Sequence, residues 1–358
     1  MYNYRTGANR SNGCMKNHLE YLKQRRFESL DGLRAVSIIA VIWHHTYPAG
    51  MSTVMGSIGA EGVTLFFAIS GFLITTLLLR EHDRNGIIDL KEFYIRRILR
   101  IFPLYYGTLL IYILVVALIE GKNSIGKSFF SNLLYFSTFT SNLFVKLDGR
   151  VIFYFAWSVA AEEQFYLIWP PVLKFFVAYK RISVLIFLAT VAYVSAIQFG
   201  FNVLSVFPSA IFIGALLGLA LHSRWSFRLL YLLLGQRWSS IIVAAALFFA
   251  LIEGSISVYL LHTIFVALVG SCVIREDNFL ASTLRMRPVA YIGSISYGMY
   301  MLHMLSRNVV LKLLDGFNLN EGGLELFLLT SITALIVASL SYKRFESVFL
   351  KMKKSHSR

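Results

Sequence analysis

The sequence has little acidic charge and few cysteines or prolines. Its 358 residues include 19 Asp and Glu, two Cys and six Pro. Cys14 lies in a polar segment and Cys272 in an apolar one, so a disulfide framework is excluded and the spacing of a cysteine metal site is absent. The first 28 residues contain no apolar stretch typical of a signal peptide. We therefore expect no cleaved leader and an N-terminal tail that stays on the chain.

Charged residues of both signs are scarce, and apolar residues take their place. Charged residues make up 15% of the chain and hydrophobic residues 57%, with a mean hydropathy of +0.64. A soluble domain usually carries about 25% charged residues. The composition therefore excludes an ordinary soluble protein and predicts an all-α integral membrane protein.

Long apolar runs recur along the chain. A membrane-crossing helix needs about 20 mostly apolar residues, and about ten such runs predict about ten transmembrane helices in one bundle. A further apolar stretch, Phe129–Val145, contains Ser, Thr and Asn, so we expect it to form an outer interfacial or re-entrant segment. The predicted crossings are Leu30–Pro48, Ala60–Leu79, Ile101–Ile119, Gln164–Tyr179, Ser183–Phe201, Leu204–Leu221, Ser239–Glu253, Ile256–Ile274, Val289–Leu305 and Glu325–Tyr342.

The basic residues are distributed unevenly between the predicted loops. An even number of crossings puts both termini on one side, and this arrangement leaves 27 Lys and Arg residues on that side and six on the other. The positive-inside rule then assigns both termini to the cytoplasmic side of the membrane. We expect a basic tail at 1–29, a transmembrane domain at 30–345 and a second tail at 346–358. The net charge of +15 follows from this topology and favours anionic lipid, so no nucleic-acid partner is expected.

The first predicted helix contains two ionisable residues, which a membrane normally excludes. Arg34 and His45 are 11 residues apart in the sequence. On a regular helix they share one face about 16 Å apart along the axis, whereas His44 points about 80° away. A neutral histidine in the outer half suits a general base. The alternative is that Arg34 reaches lipid phosphate and that His45 is a packed core residue.

Two further histidines, His262 and His303, are expected at a depth similar to that of His45. A metal site would need more ligands, and neither a cysteine nor a carboxylate lies near them in the sequence, so we expect no metal. Glu162 and Glu163 begin the fourth predicted crossing. They either cap the helix or include a carboxylate that orients a histidine.

Three arginines precede the third crossing at its cytoplasmic end. Arg96 and Arg100 are four residues apart and should project together, with Arg97 beside them. Guanidinium groups suit phosphate oxygens, so the cluster predicts a donor with several phosphates, such as coenzyme A. Simple anchoring by the positive-inside rule is the alternative.

At these residues the chain resembles acyltransferase family 3, the bacterial multi-pass acyltransferases of envelope polysaccharides and related acceptors. Ala35, Thr64 and Ser347 depart from the residues common in that family. The resemblance is carried by six segments in order: Leu30–Arg34 followed by His45, Gly62–Thr75, Phe93–Tyr106, Trp157–Pro170, Ile292–His303 and Tyr342–Glu346.

The resemblance implies roles for individual residues. It implies His45 as the catalytic histidine, Arg34 as its partner and Glu163 as a functional acid. It also implies Arg96, Arg97 and Arg100 as donor-side residues. We expect four further residues to support the site: Ser158, Glu162, Tyr297 and His303.

The expected reaction is transfer of an acyl group, acetyl above all, from acyl-CoA to a carbohydrate or lipid-linked saccharide. Acyl-CoA would be a co-substrate, with no permanently bound cofactor, and His45 would be either a general base or a transient acyl carrier. Many family members carry an extracytoplasmic hydrolase-like domain. Since this sequence ends at Arg358 without one, we expect it to act alone or with a separate extracytoplasmic acyl-accepting protein. A transporter or flippase for a small anionic or sugar-linked substrate is the alternative, although no repeated halves are visible.

The predicted topology can be tested by cysteine labelling in a variant without Cys14 and Cys272. Ser124→Cys should react with a membrane-impermeant maleimide from outside intact cells. Asn85→Cys, in the loop Arg80–Arg100, should react only after the cells are opened. Labelling of Ser124→Cys from the inside alone would overturn this topology.

Overall fold

A computed structural model describes residues 16–24, 26–47, 58–147, 149–178, 208–316 and 323–355. All regular secondary structure in these ranges is helical, as the composition predicts. A 3-10 turn at Tyr154–Ala156 and a π-helical turn at Tyr342–Glu346 join longer elements. The α-helices are α1 (Glu28–Thr46), α2 (Gly62–Asn85), α3 (Leu90–Ile119), α4 (Ser124–Ser131), α5 (Leu133–Ser137), α6 (Ser141–Phe144), α7 (Trp157–Ala178), α8 (Ser209–His222), α9 (Arg224–Leu234), α10 (Ser239–Glu253), α11 (Val258–Val273), α12 (Ala281–Leu284), α13 (Arg287–Ser294), α14 (Ser296–Gly316), α15 (Leu324–Ser341) and α16 (Ser347–Ser355).

Within the described ranges, 3 helices are long and apolar enough to cross a membrane. They are Ile58–Asn85, Leu90–Ile119 and Leu324–Met352. The pair α8 and α9, bent by 111°, adds a fourth if it counts as one span. The predicted crossing Ser183–Phe201 lies outside the described residues, as do both chain termini. The fold is that of an all-helical protein with apolar spans, and the count of about ten crossings stays a prediction.

Several of the predicted crossings have different boundaries in the structure: the third, for example, begins at Leu90 rather than Ile101. Two other differences affect the site described below. The fourth begins at Trp157 rather than Gln164, because the 3-10 turn leads directly into α7. The run Val289–Leu305 is interrupted at Ile295, after which α14 continues to Gly316. In both cases the helix is longer than predicted on the predicted outer side, because the prediction placed the end of each crossing at the end of its apolar run.

Helix continues into the second predicted tail, 346–358, as far as Ser355. The π-helical turn Tyr342–Glu346 joins α15 to α16 without a break. The apolar run ends at the charged residues Lys343 and Arg344, but the helix continues past them.

The stretch Phe129–Val145 forms short helices, none of them long enough to cross a membrane. Side-chain amides fasten it to α7: Gln164 Nε2 donates to the Phe139 carbonyl at 2.7 Å and to Asn142 Oδ1 at 2.9 Å. The Tyr105 hydroxyl on α3 donates to the Phe136 carbonyl at 2.7 Å. The prediction that this stretch does not form a crossing helix is confirmed.

Helix α1 lies in the interior and packs against α2, α13, α14 and α15. Ile38 and Ile42 in its middle are fully buried. On α13, a Cβ at Gly293 would come within 1.7 Å of the Asp31 carbonyl oxygen, so only glycine allows this approach. The helix is continuous from Glu28 to Thr46, as the shared face of Arg34 and His45 requires.

Helices α2 and α8 approach each other closely through glycines. A Cβ at Gly71 would lie 1.9 Å from the Ile211 carbonyl oxygen, and one at Gly214 would lie 2.3 Å from the Ala68 carbonyl oxygen. Small residues at such crossings allow close backbone packing in membrane proteins. This contact holds α8 against α2, which also packs against α1 and supplies part of the wall of the site described below.

We expect Gly71→Ala to destabilise the protein, because its methyl group would meet backbone atoms that cannot move aside. Overpacking of this kind typically costs about 1–3 kcal/mol. Gly316→Ala is the matched control, since nothing lies within 4 Å of its added Cβ. Thermal unfolding in detergent should show a lower midpoint for Gly71→Ala alone, and equal midpoints for both variants would contradict the packing.

Candidate functional site

Two adjoining cavities lie along α1. The larger one has a volume of about 930 Å³ and includes His45 in its lining. The smaller one has a volume of about 90 Å³ and includes Arg34. Helix α1 thus places one of its two predicted site residues in each cavity, in the order expected from their spacing.

The hydrogen bonding of His45 defines which ring nitrogen can react. Its Nδ1 lies 2.9 Å from the Val41 carbonyl oxygen one turn earlier on α1. A carbonyl oxygen only accepts, so Nδ1 carries the proton and Nε2 keeps its lone pair. His45 is partly exposed in the larger cavity. The imidazole therefore has the form required of a base or a nucleophile.

His303 lies against His45 from α14, with ring centroids 4.8 Å apart. His303 is fully buried, and its Nδ1 contacts the Tyr300 carbonyl oxygen at 2.5 Å. Its Nε2 is buried with no hydrogen-bond partner among the described residues. The two imidazoles form a pair in which each Nδ1 is held by a backbone carbonyl and each Nε2 has a lone pair.

His44 lies closer to this pair than its helix angle predicts. It lines the same cavity, and its ring centroid is 5.1 Å from that of His45. His44 is exposed, however, whereas His45 is partly buried and contacts His303. The structure therefore still distinguishes the two neighbours.

The smaller cavity contains a cluster of arginines. Arg34, Arg97 and Arg100 all line it. Arg34 is paired with Asp31 at 3.2 Å on α1. The guanidinium of Arg97 lies 4.5 Å from the ring centroid of Tyr166. Three positive charges around a small cavity favour an anionic ligand.

Glu162 is the carboxylate that faces these arginines among the described lining residues. It accepts hydrogen bonds from Ser70 Oγ on α2 and from the Tyr166 hydroxyl on α7. The first turn of α7 contains no acidic residue, because the helix begins at Trp157. The explanation of Glu162 and Glu163 as helix caps is therefore wrong, and Glu162 belongs to the cavity.

Val63 and Tyr300 line both cavities and so form the wall between them. The Tyr300 hydroxyl donates to the Phe155 carbonyl at 2.8 Å and lies 2.6 Å from Ser158 Oγ, which donates to it. Ser158 also lines the smaller cavity. The position of the wall is thus fixed by α7 and by the turn that precedes it.

The structure brings most predicted site residues to these two cavities. His45 contacts His303 at the larger one, and the smaller one is lined by Arg34, Arg97, Arg100, Ser158, Glu162 and Tyr297.

Arg96 and Glu163 are placed elsewhere. Arg96 forms a salt bridge with Glu81 at 3.1 Å, so the arginines that converge are Arg97 and Arg100, rather than Arg96 and Arg100 as the four-residue spacing suggests. Glu163 interacts electrostatically with Tyr105, Tyr297 and Arg97, and its Oε1 is buried without a hydrogen-bond partner among the described residues. It lines neither cavity in the part of the chain that is described.

The third histidine does not join the other two. His262 on α11 contacts Ser209 on α8, with 2.5 Å between Nδ1 and Oγ. Among the described residues, no group of three or more His, Cys, Asp and Glu could hold a metal ion.

Sequence reasoning missed several residues of the larger cavity, among them Arg307 and Tyr300. Arg307 lines it one turn after His303, although the predicted crossing ended at Leu305 and left this arginine in a loop. Tyr300 forms the wall described above. The spacing of Tyr300, His303 and Arg307, three and four residues apart, is a signal that could have found them, because such residues share a helix face.

Comparisons with known proteins show the family of this chain. A family model described as an acyltransferase domain matches residues 27–343. The peptidoglycan O-acetyltransferase OatA of Listeria monocytogenes is 28% identical over 90% of this chain and 56% of that protein. A putative O-acetyltransferase of Staphylococcus aureus (strain COL) is 26% identical over 94% of this chain and 59% of that protein. The putative peptidoglycan O-acetyltransferase YrhL of Bacillus subtilis is 27% identical over 78% of this chain and 48% of that protein.

The chain spans about half the length of the curated relatives it matches. No solved structure matches it.

Proposed function

Because the chain belongs to the acyltransferase family whose domain model covers residues 27–343, we propose that it is a membrane O-acetyltransferase. It would move an acetyl group from cytoplasmic acetyl-CoA to a hydroxyl of a cell-envelope carbohydrate. The names of its relatives support an O-acetyl product and, for two of them, a peptidoglycan acceptor.

One observation carries the proposal: a cavity rich in arginine and a cavity containing a histidine pair share a wall. Arg97 and Arg100 offer guanidinium groups to the phosphates of acetyl-CoA in the smaller cavity. His45 offers its Nε2 to the reacting groups in the larger one. The donor and acceptor sites would therefore be adjacent but separate, which suits transfer across a membrane.

In the proposed reaction, His45 Nε2 takes the proton of the acceptor hydroxyl as its oxygen attacks the thioester carbonyl carbon. The carbon–sulfur bond breaks, and the proton passes from His45 to the departing thiolate, which gives an acetyl ester and free coenzyme A. His303 Nε2 offers a second lone pair to the positive charge that His45 acquires. A two-step route, in which Nε2 first carries the acetyl group, uses the same atom.

The proposed location is the bacterial inner membrane, with about ten crossings and both termini in the cytoplasm. The apolar helices and the uneven distribution of Lys and Arg support it. The smaller cavity, with Arg34, would then face the cytoplasm, and the larger one, with His45, would face outward. The alternative, a transporter or flippase, has no comparable support. A pair of imidazoles beside a cluster of arginines suits transfer of an acyl group from a phosphate-bearing donor.

We expect His45→Ala to abolish acetyl transfer and His44→Ala to leave most of it. Loss of a general base typically costs about 10²–10⁴-fold in rate, and loss of an acyl carrier should cost at least as much. Purified protein in lipid vesicles is given acetyl-CoA and a saccharide acceptor, and thiol release and acetylated product are measured. An active His45→Ala at matched amounts of folded protein would contradict the proposed centre, and an inactive His44→Ala would move it to the neighbouring residue.

The donor site makes a second test possible, with Arg96 as the control. Arg97→Gln and Arg100→Gln should each weaken acetyl-CoA binding by about 10-fold to 100-fold, because each removes a charge-assisted contact to phosphate. Arg96→Gln should change it by less than about threefold, since Arg96 is held by Glu81. Lysine at position 97 or 100 should rescue only in part. Titration calorimetry with acetyl-CoA measures this, and equal affinities in all variants would make these arginines simple membrane anchors.

A further inference from the structure

The larger cavity has a basic lining that the proposed chemistry does not use. Arg150, Arg307 and Lys312 line it, and Glu120 is the carboxylate among its described lining residues. Glu120 is paired with Arg150 at 3.3 Å, so these two charges largely cancel. Arg307 and Lys312 leave the cavity with a net positive charge.

Arg307 is the most informative of these residues. It lies one turn after His303 on α14 and is half-buried. Its Nε is buried without a hydrogen-bond partner, and no salt bridge joins it to a carboxylate in the described part of the chain. A partly buried cation without a counterion is costly. An arginine in this condition that faces a cavity is suited to bind an anion from outside the protein.

The distribution of charge along the chain supports the same conclusion. The predicted topology leaves six Lys and Arg residues on the outer side, against 27 on the cytoplasmic side. Three of those six, Arg150, Arg307 and Lys312, line this cavity. Membrane anchoring disfavours basic residues on the outer side, so it gives no reason for them to gather here.

We propose that the larger cavity recognises the acceptor through an anionic group, a carboxylate or a phosphate, bound by Arg307. Lys312, which is exposed, would attract the same group at the mouth of the cavity. Binding at Arg307 would hold a neighbouring hydroxyl of an acidic saccharide beside His45. A volume of about 930 Å³ has room for such a ligand. This inference rests on the proposed function, since it names the acceptor class of the same site.

Direct binding tests the inference without requiring turnover. Titration calorimetry compares three probes with related rings: N-acetylglucosamine, which is neutral, N-acetylmuramic acid, which adds a carboxylate, and N-acetylglucosamine 1-phosphate, which adds a phosphate. The wild-type protein should prefer at least one anionic probe, and the preferred one identifies the group. Arg307→Gln should weaken binding of that probe by about 10-fold to 100-fold and change neutral binding by less than about twofold.

Two further variants separate recognition from general effects. Arg307→Lys should restore part of the preference, because it keeps the charge but lacks the guanidinium geometry. Lys122→Gln removes an outer charge that does not line the cavity and should have no effect. Thermal unfolding of each variant shows whether it is folded.

The outcomes also separate this inference from the proposed function. Absence of any preference for the anionic probes in the wild-type protein overturns the inference, even if acetyl transfer occurs. An equal loss for neutral and anionic probes in Arg307→Gln also overturns it and assigns Arg307 to the acyl group or to the fold. A clear preference that depends on Arg307, without consumption of acetyl-CoA, would uphold the anion site and contradict the acetyltransferase.

Discussion

The cost of placing ionisable groups inside an apolar helical bundle governs this structure. Each such group must meet a partner, a cavity or a ligand, because burial of an isolated charge in a membrane is unfavourable. Arg34 meets Asp31, Arg96 meets Glu81, and Glu162 meets two hydroxyls. Two of the buried atoms without a hydrogen-bond partner among the described residues lie close to the larger cavity: Arg307 Nε, on a residue that lines it, and His303 Nε2, on a residue that contacts His45. Glu163 Oε1 is also without such a partner and lies away from both cavities. Many of the polar groups inside this otherwise apolar protein therefore lie at the two cavities.

The features that the sequence could predict are those that depend on a single helix. Arg34 and His45 share a face because α1 is regular, and the structure places one of them in each cavity. The all-helical fold also follows from composition alone. These inferences need only the periodicity of a helix, which is a local property.

The features that the sequence could not predict depend on how helices are rotated against their neighbours. Arg96 and Arg100 are four residues apart on α3, but Arg96 forms a salt bridge with Glu81 on α2. Arg97 therefore lines the smaller cavity together with Arg100. Glu162 rather than Glu163 lines the cavity with the arginines, because the rotation of α7 turns Glu162 toward it. Arg307 enters the site because α14 continues beyond that run. Hydropathy measures where a segment is apolar, whereas packing decides where a helix ends and which face it presents.

The unequal sizes of the two cavities indicate which side must change shape during the proposed reaction. The larger cavity, about 930 Å³, is already in the upper part of the range of ligand sites, about 300–1,000 Å³. The smaller cavity, about 90 Å³, is too small for a coenzyme A molecule, although it is lined by the arginines that would bind one. The wall between them contains Tyr300, whose hydroxyl is fixed by Phe155 and Ser158. Donor binding would therefore have to widen the arginine cavity, and a thioester would reach His45 only if Val63 or Tyr300 moved. The larger cavity would need no such change to admit the acceptor. The proposed conformational change would therefore accompany binding of the donor.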